Sequence, residues 1–176
     1  MSVEVISRMH QHRMWVMGNL IKACELLTEE QLKQPFEIGQ GTVWKSLTHM
    51  HGAEYVWLEA LRGNPKGLCP GDLAGKLTGN QEGENPIRSI GELRERCSAL
   101  DDEWTRYLET LTEEKLLETI NRQSIQGLMG TTARDVLLHV CTHAHFTSAQ
   151  VINMLRRLGV SPLPDSMLIT MARQGL

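Results

Sequence analysis

Residues 136–158 read VLLHVCTHAHFTSAQVINMLRRL and predict one long amphipathic helix. Its apolar stripe recurs at three- and four-residue steps through Val136, Val140, Val151, Met154 and Leu158. Two positions within that stripe, one helical turn apart, are occupied by His143 and Thr147. A polar pair on a buried face must be hydrogen-bonded, coordinated or exposed to a cavity, because burying it unpaired costs a few kcal/mol. The pair therefore marks this helix as the place where function is expected.

Three more segments have helical periodicity and recognisable caps. Thr42 is the N-cap candidate of the second helix, Ser89 with Glu92 forms a capping box for the third, and Thr132 with Asp135 matches a capping pattern for the fourth. Strand signal is weak, so the sequence predicts an all-α fold, a four-helix bundle. The predicted helices lie near 4–28, 42–62, 89–111 and 131–158. Bundles build ligand and metal sites in their core from side chains on facing helices, which makes polar residues within the apolar stripes informative.

The connections between these helices differ in length and character. Residues 63–88 are rich in Gly, Pro and Asn and form a long crossover between the second and third helices. LTEEQL at 27–32 nearly recurs as LTEEKL at 111–116, which suggests a repeat of two helical hairpins. Residues 118–129 read as irregular, with a short extended piece favoured by Thr119, Ile120 and Ile125.

Composition limits the classes of protein that need to be considered. A chain of 176 residues is most simply one domain, 1–176, and its net charge of -3 gives no reason to expect nucleic acid or a membrane surface as a partner. No apolar run approaches the roughly 20 residues that span a bilayer, and no signal peptide is expected. The four cysteines form no CxxC and predict reduced thiols in a cytoplasmic protein. They are Cys24, Cys69, Cys97 and Cys141.

Several other polar residues fall at informative helical positions. Glu54 projects near the middle of the apolar face of the second helix, where a carboxylate is unusual, and His49 lies on the flank of that face. His12 occupies a missing position in the stripe of the first helix, and His139 lies one turn before His143, towards the edge of its stripe. Two further histidines fall off the stripes and are expected to face solvent. They are His10 and His145.

Two of these helices together resemble a known family. SLTHMHGAEYVWLEALRG (46–63) resembles the histidine helix of the DinB/YfiT-like family, and LLHVCTHAHFTSAQVINMLRRLG (137–159) resembles its last bundle helix. The resemblance implies a four-helix bundle, often dimeric, with a divalent metal held by three histidines. Carried over by position, these ligands are His49, His143 and residue 147, which here is Thr147. The Arg-Gly that usually comes next is also replaced, by Ser148-Ala149, while Gln150 is kept.

The third ligand position leaves two interpretations open. Imidazole is a good ligand for zinc, nickel or iron, whereas a neutral threonine hydroxyl is a poor one. Four groups could complete a metal site: Thr147 through a bridging water, Glu54, His12 or His139. Alternatively, the buried polar groups on the second and fourth helices satisfy one another by hydrogen bonds without metal.

The resemblance implies an activity as well as a fold. We expect a divalent-metal-dependent enzyme of the thiol-dependent transferase or hydrolase type, with an incomplete three-histidine site and a small-molecule thiol or other small substrate. The alternative is a non-catalytic binding or stress-response bundle that has lost the metal. The resemblance also implies a homodimer, which agrees with the apolar surface of the second helix. That surface includes Trp44, Tyr55 and Leu58.

Overall fold

A computed structural model describes residues 2–124 and 127–176. Each of the four predicted helices is present, and the largest difference in bounds is at the end of the first, predicted at 28 and found at Cys24. The helices are α1 (Val3–Cys24), α2 (Glu29–Lys33), α3 (Val43–Leu61), α4 (Ile90–Leu108), α5 (Ala133–Arg157) and α6 (Leu168–Arg173). A 3-10 turn spans Lys115–Leu117. The long helices α1, α3, α4 and α5 form the bundle.

Side-chain caps begin the long helices where the sequence placed them. The hydroxyls of Thr42, Ser89 and Thr132 each accept a hydrogen bond from the amide three residues further on. The capping box predicted at Ser89 is only half formed, because the Glu92 carboxylate accepts from the amide of Arg88. A complete capping box starts α2 instead, between Thr28 and Gln31.

The predicted helical bundle is confirmed, and it includes one small two-stranded sheet. Strands β1 (Thr119–Ser124) and β2 (Gly127–Thr132) pair antiparallel, with Thr119 opposite Thr132. Thr119 and Ile120 lie in β1 as the extended piece predicted for this region, while Ile125 lies outside the described residues. Ile120 is buried in the core, and β2 ends at the cap of α5. The hairpin therefore fixes the point at which the histidine-bearing helix starts.

The packing of the bundle determines which helix faces can meet. Helix α5 packs against both α1 and α3, and α4 packs against the same two helices. The long helices α1 and α3 therefore occupy opposite corners, and the long connection 63–88 joins α3 to its neighbour α4. Leu58, expected at a dimer surface, is buried in the chain's own core, so it supplies no such surface. None of the helices in residues 2–124 and 127–176 combines the length and apolar character needed to cross a membrane.

The core consists of two apolar clusters. One is built around Leu20, Leu47, Leu93 and Met154. The other is built around Leu58, Trp104, Leu137 and Val140. The buried His10, His12 and Arg13 of α1, and His51 and Glu54 of α3, fall between the residues that these helices contribute to the two clusters. Polar side chains of α1 and α3 therefore lie near the middle of the bundle.

Candidate functional site

The site begins with two histidines on facing helices. His49 on α3 and His143 on α5 are both half-buried, and their Nε2 atoms lie 3.1 Å apart. The ring centroids are 5.0 Å apart and the ring planes are nearly perpendicular, at 79°. The sequence placed His143 within the buried stripe and His49 on a flank, and the packing of α3 against α5 brings the two together.

The hydrogen bonds determine which nitrogen of His49 carries a proton. Its Nδ1 lies 2.8 Å from the carbonyl oxygen of Thr78, in the 63–88 connection. Because a carbonyl oxygen only accepts, Nδ1 must donate, which leaves a lone pair on Nε2 of a neutral ring. The hydrogen bond between the two rings then requires that Nε2–H of His143 donates to Nε2 of His49.

His143 is neutral at pH 7. Burial, together with the neighbouring His49 and His139, lowers the pKa of its imidazole to about 4. A neutral imidazole is the form that coordinates a metal ion. His143 therefore has no net charge to lose before it acts as a ligand, but its Nε2 proton must move to Nδ1 before Nε2 can coordinate.

The spacing of the two nitrogens fits two ligands of one tetrahedral ion. Nitrogens bound at about 2.05 Å to a tetrahedral zinc lie about 3.3 Å apart, close to the 3.1 Å between His49 and His143. Thr147 is buried one helical turn further along α5. Within the part of the chain that the structure describes, no three His, Cys, Asp or Glu side chains are grouped closely enough to hold one metal ion. The residues thus fit a metal at two protein positions, and Thr147 lies one helical turn from the second of them.

The other candidate ligands have partners of their own. Glu54 forms a buried ion pair with Arg13, and Nε2 of His12 lies 2.9 Å from the carbonyl oxygen of Ser166 in the C-terminal segment. His139 is exposed, with its ring 5.8 Å from that of His143 and 5.4 Å from that of Trp57. Of the three, His139 is the one whose ring contacts the histidine pair.

A second polar cluster, which the sequence did not predict, lies in the middle of the bundle. It consists of His10, Arg13, Glu54, Asp101 and Trp104. Arg13 also lies 3.6 Å from Asp101, and its guanidinium lies 5.2 Å from the ring centroid of Trp104. The one sequence signal for this cluster was the position of Glu54 on an apolar face.

The prediction that His10 faces solvent is wrong. Its side chain is fully buried, its Nε2 donates to the carbonyl oxygen of Leu137 at 3.1 Å, and its ring lies 4.8 Å from that of Trp104. The reason is that α1 packs against both α4 and α5, so more than one face of this helix is covered. His145 is exposed, as predicted.

Burial dominates the electrostatics of this cluster. It raises the pKa of Glu54 to about 7 and that of Asp101 to about 6, although the charge of Arg13 favours the ionised form of both. Several buried polar atoms of the cluster have no hydrogen-bond partner among the described residues. They are Nδ1 of His10, Nε and Nη2 of Arg13, Oε1 of Glu54 and Nε1 of Trp104.

Comparisons with known proteins agree with this architecture. The model of the DinB family matches residues 1–174. Among solved structures, YfiT from Bacillus subtilis matches with a TM-score of 0.71 and 20% sequence identity, covering 92% of this chain and 91% of that one. That protein is described as a probable metal-dependent hydrolase with an unusual four-helix bundle topology. No curated protein matches the sequence significantly. At this level of identity the likeness to YfiT concerns the fold.

Proposed function

Because the chain belongs to the DinB family, as its sequence predicted, we propose that it is a divalent-metal-dependent enzyme of the hydrolase or thiol-transferase type. His49 and His143 are the two histidine ligands. The observation that carries the proposal is the 3.1 Å approach of their Nε2 atoms, with Nδ1 of His49 bound to a backbone carbonyl. Metal-ligating histidines almost always donate their second ring N–H to such a group, which fixes the tautomer and the direction of the ring. The description of YfiT as a probable metal-dependent hydrolase supports the same class of activity.

Each residue of the site has a definable role. His49 and His143 bind the metal ion, and the Thr147 hydroxyl orients a water molecule or a substrate group at the third ligand position. His139 and Trp57 lie at the outer side of the pair, where a substrate would enter. A bound zinc, nickel or iron ion would supply Lewis acidity, which lowers the pKa of a water or a thiol and makes it a nucleophile near neutral pH.

The second candidate function rests on Thr147. A neutral hydroxyl in place of a third imidazole weakens metal binding, and the two histidines already satisfy each other by a hydrogen bond. This observation favours a binding or stress-response bundle without metal. Metal content separates the two functions: protein purified without chelators contains close to one zinc, nickel or iron ion per chain if the first is correct, and none if the second is.

A substitution at position 147 tests whether the geometry of the site is retained. Thr147→His adds an imidazole one turn from His143, at the spacing that lets two helix side chains reach one ion. Zinc at 100 times its Kd stabilises the native state by about 2.7 kcal/mol. For a chain of this size that raises the Tm by about 5–10 °C. We expect this zinc-induced rise for Thr147→His and a smaller one for the native protein.

His49→Ala/Thr147→His is the matched control, because it contains the added imidazole but lacks the facing one. It should lose most of the zinc-induced rise in Tm. If Thr147→His responds to zinc no more than the native chain does, the two histidines and position 147 do not share a site. The expected homodimer and the thiol substrate stay predictions. Sedimentation of the protein at micromolar concentration tests the first, and assays with low-molecular-weight thiols test the second.

A further inference from the structure

Part of the 63–88 connection is folded around one buried carboxylate. Asp72, with 7% of its surface exposed, accepts three hydrogen bonds from the same connection. Its Oδ2 accepts from the amide of Gly79 at 2.6 Å, and its Oδ1 accepts from the amide and the side chain of Gln81 at 3.0 and 2.9 Å. Hydrogen bonds to a carboxylate are stronger than those between neutral groups. The loop from Asp72 to Gln81 therefore has one defined conformation, which depends on Asp72.

This loop lies directly on the backbone of α3 at His49. A Cβ atom added to Gly79 would lie 2.3 Å from the carbonyl oxygen of Thr48 and 2.4 Å from Cα of His49. On the other side of the contact, a Cβ atom added to Gly52 would lie 2.7 Å from the nitrogen of Gly79. Both positions need glycine, because only glycine lets the two backbones approach so closely. Gly79 also has a φ of +81°, in the left-handed region that favours glycine.

The contact places a carbonyl group at the ring of His49. Thr78 precedes Gly79, and its carbonyl oxygen lies 2.8 Å from Nδ1 of His49. We propose that Asp72 is a positioning residue. By holding Gly79 against α3 it keeps the Thr78 carbonyl at Nδ1, so that His49 stays in the Nδ1–H tautomer with Nε2 directed at His143. This inference rests on the proposed function, since the nitrogen that it directs is the metal-ligating one.

The structure explains why a carboxylate is required at position 72. Two different backbone N–H groups and a side-chain N–H approach its two oxygens, so every contact needs an acceptor. An asparagine has the same shape but would present an NH2 group to one of these donors. Asp72→Asn therefore loosens the loop at Gly79 or at Gln81 without changing its bulk.

The test begins with the metal-free full-length chain, in which the tautomer of His49 is measured by long-range proton–nitrogen NMR correlations. We expect the Nδ1–H tautomer in the native protein and a mixture of both neutral tautomers in Asp72→Asn. Gly52→Ala, which pushes the loop away from α3 without altering Asp72, should have the same effect. Glu82→Gln is the matched control, because it changes an exposed acid of the same connection that pairs with Lys76. It should leave the tautomer unchanged.

The second measurement is zinc affinity, by competition with a chromophoric chelator. Loss of an outer hydrogen-bond partner of a ligating histidine typically weakens metal binding by about 10–100-fold. We expect a loss of that size in Asp72→Asn and in Gly52→Ala, and none in Glu82→Gln. A tautomer that stays unchanged in Asp72→Asn overturns the inference, whatever happens in Gly52→Ala or to zinc binding. A tautomer that shifts in proteins that bind no zinc supports the positioning role and refutes the proposed metal site.

Discussion

The buried ion pair between Arg13 and Glu54 makes a quantitative prediction about stability. The side chains of Arg13 and Glu54 are 1% and 5% exposed. Removing one partner of a buried pair leaves the other charge without compensation and typically destabilises a protein by 3–5 kcal/mol. Asp101 stays within 3.6 Å of Arg13, so Glu54→Leu should cost about 3 kcal/mol, the lower end of that range.

The expected change is large enough for thermal unfolding to measure. One kcal/mol shifts the Tm of a domain of this size by about 2–4 °C, so Glu54→Leu should lower it by about 6–12 °C. The measurement should be made at pH 8, so that the native pair is ionised. Burial raises the pKa of Glu54 to about 7, below that pH. Calorimetry and circular dichroism should give the same Tm if unfolding is two-state.

Two controls separate the buried charge from general damage to the core. Arg13→Met/Glu54→Leu removes both charges with little change in volume and should recover most of the lost Tm, because apolar replacement of a whole buried pair is often neutral or stabilising. Glu25→Ala breaks the exposed pair between Glu25 and Arg94, whose side chains are 35% and 60% exposed. Such pairs contribute about 0–1 kcal/mol, so its Tm should stay within a few degrees of the native value.

Two results would refute this prediction: Glu54→Leu unfolds at the native temperature, or the double variant is no more stable than Glu54→Leu. The first result would mean that the charge of Arg13 is accommodated without Glu54. The second would mean that the loss comes from the shape of the residue at position 54 and not from the uncompensated guanidinium.

Two other predictions concern titration and thiol chemistry. Between pH 4 and 7 the native state holds protons on Glu54 and Asp101 that the unfolded chain has released. Buried His10, His51 and His143 act in the opposite direction, because burial lowers the pKa of each. The Glu54 effect is therefore isolated by comparison with Glu54→Gln: from pH 4 to 7 the free energy of unfolding of the native protein, from denaturant titrations, should fall by at most about 3 kcal/mol relative to that of Glu54→Gln. Burial also raises the pKa of all four thiols, so an aromatic disulfide reagent at pH 8 should react with them only in denaturant; reaction in the native protein would contradict this. The thiols are Cys24, Cys69, Cys97 and Cys141.

The long helices were predictable because their signals are local. Apolar periodicity and hydroxyl caps at Thr42, Ser89 and Thr132 act within one helix and need no knowledge of its neighbours. The hexapeptide LTEExL shows that nearly the same local sequence can adopt two different structures. At 27–32 it leads into a short α-helix with a capping box, whereas at 111–116 it leads into a 3-10 turn and then the hairpin. The capping box of the first copy uses Gln31, whereas the second copy has Lys115 there, so the two copies differ at the residue on which the box depends.

The candidate site was predictable in part for the same reason. His143 and Thr147 stand out because they interrupt an apolar stripe of their own helix, and Glu54 stands out in the same way. Arg13 and His10 do not, because their burial depends on α1 being covered on more than one face. The Thr78 carbonyl that binds His49 belongs to the backbone, and no pattern of side chains reveals it.

The two polar regions of the bundle differ in how much change they tolerate. The Arg13–Glu54 pair is closed off from solvent, so a missing partner leaves a buried charge; for Arg13 this charge is compensated only in part, by Asp101 at 3.6 Å. His49 and His143 are half-buried and hydrogen-bonded to each other, and each is held by its own helix, with His49 fixed further by Thr78. A threonine at 147 therefore removes a ligand without leaving a buried charge or an unpaired ring nitrogen between the two histidines. The bundle can keep the geometry of the histidine pair whether or not a metal is bound, so stability alone does not distinguish the two functions. They are distinguished by metal content and by the response of Thr147→His to zinc.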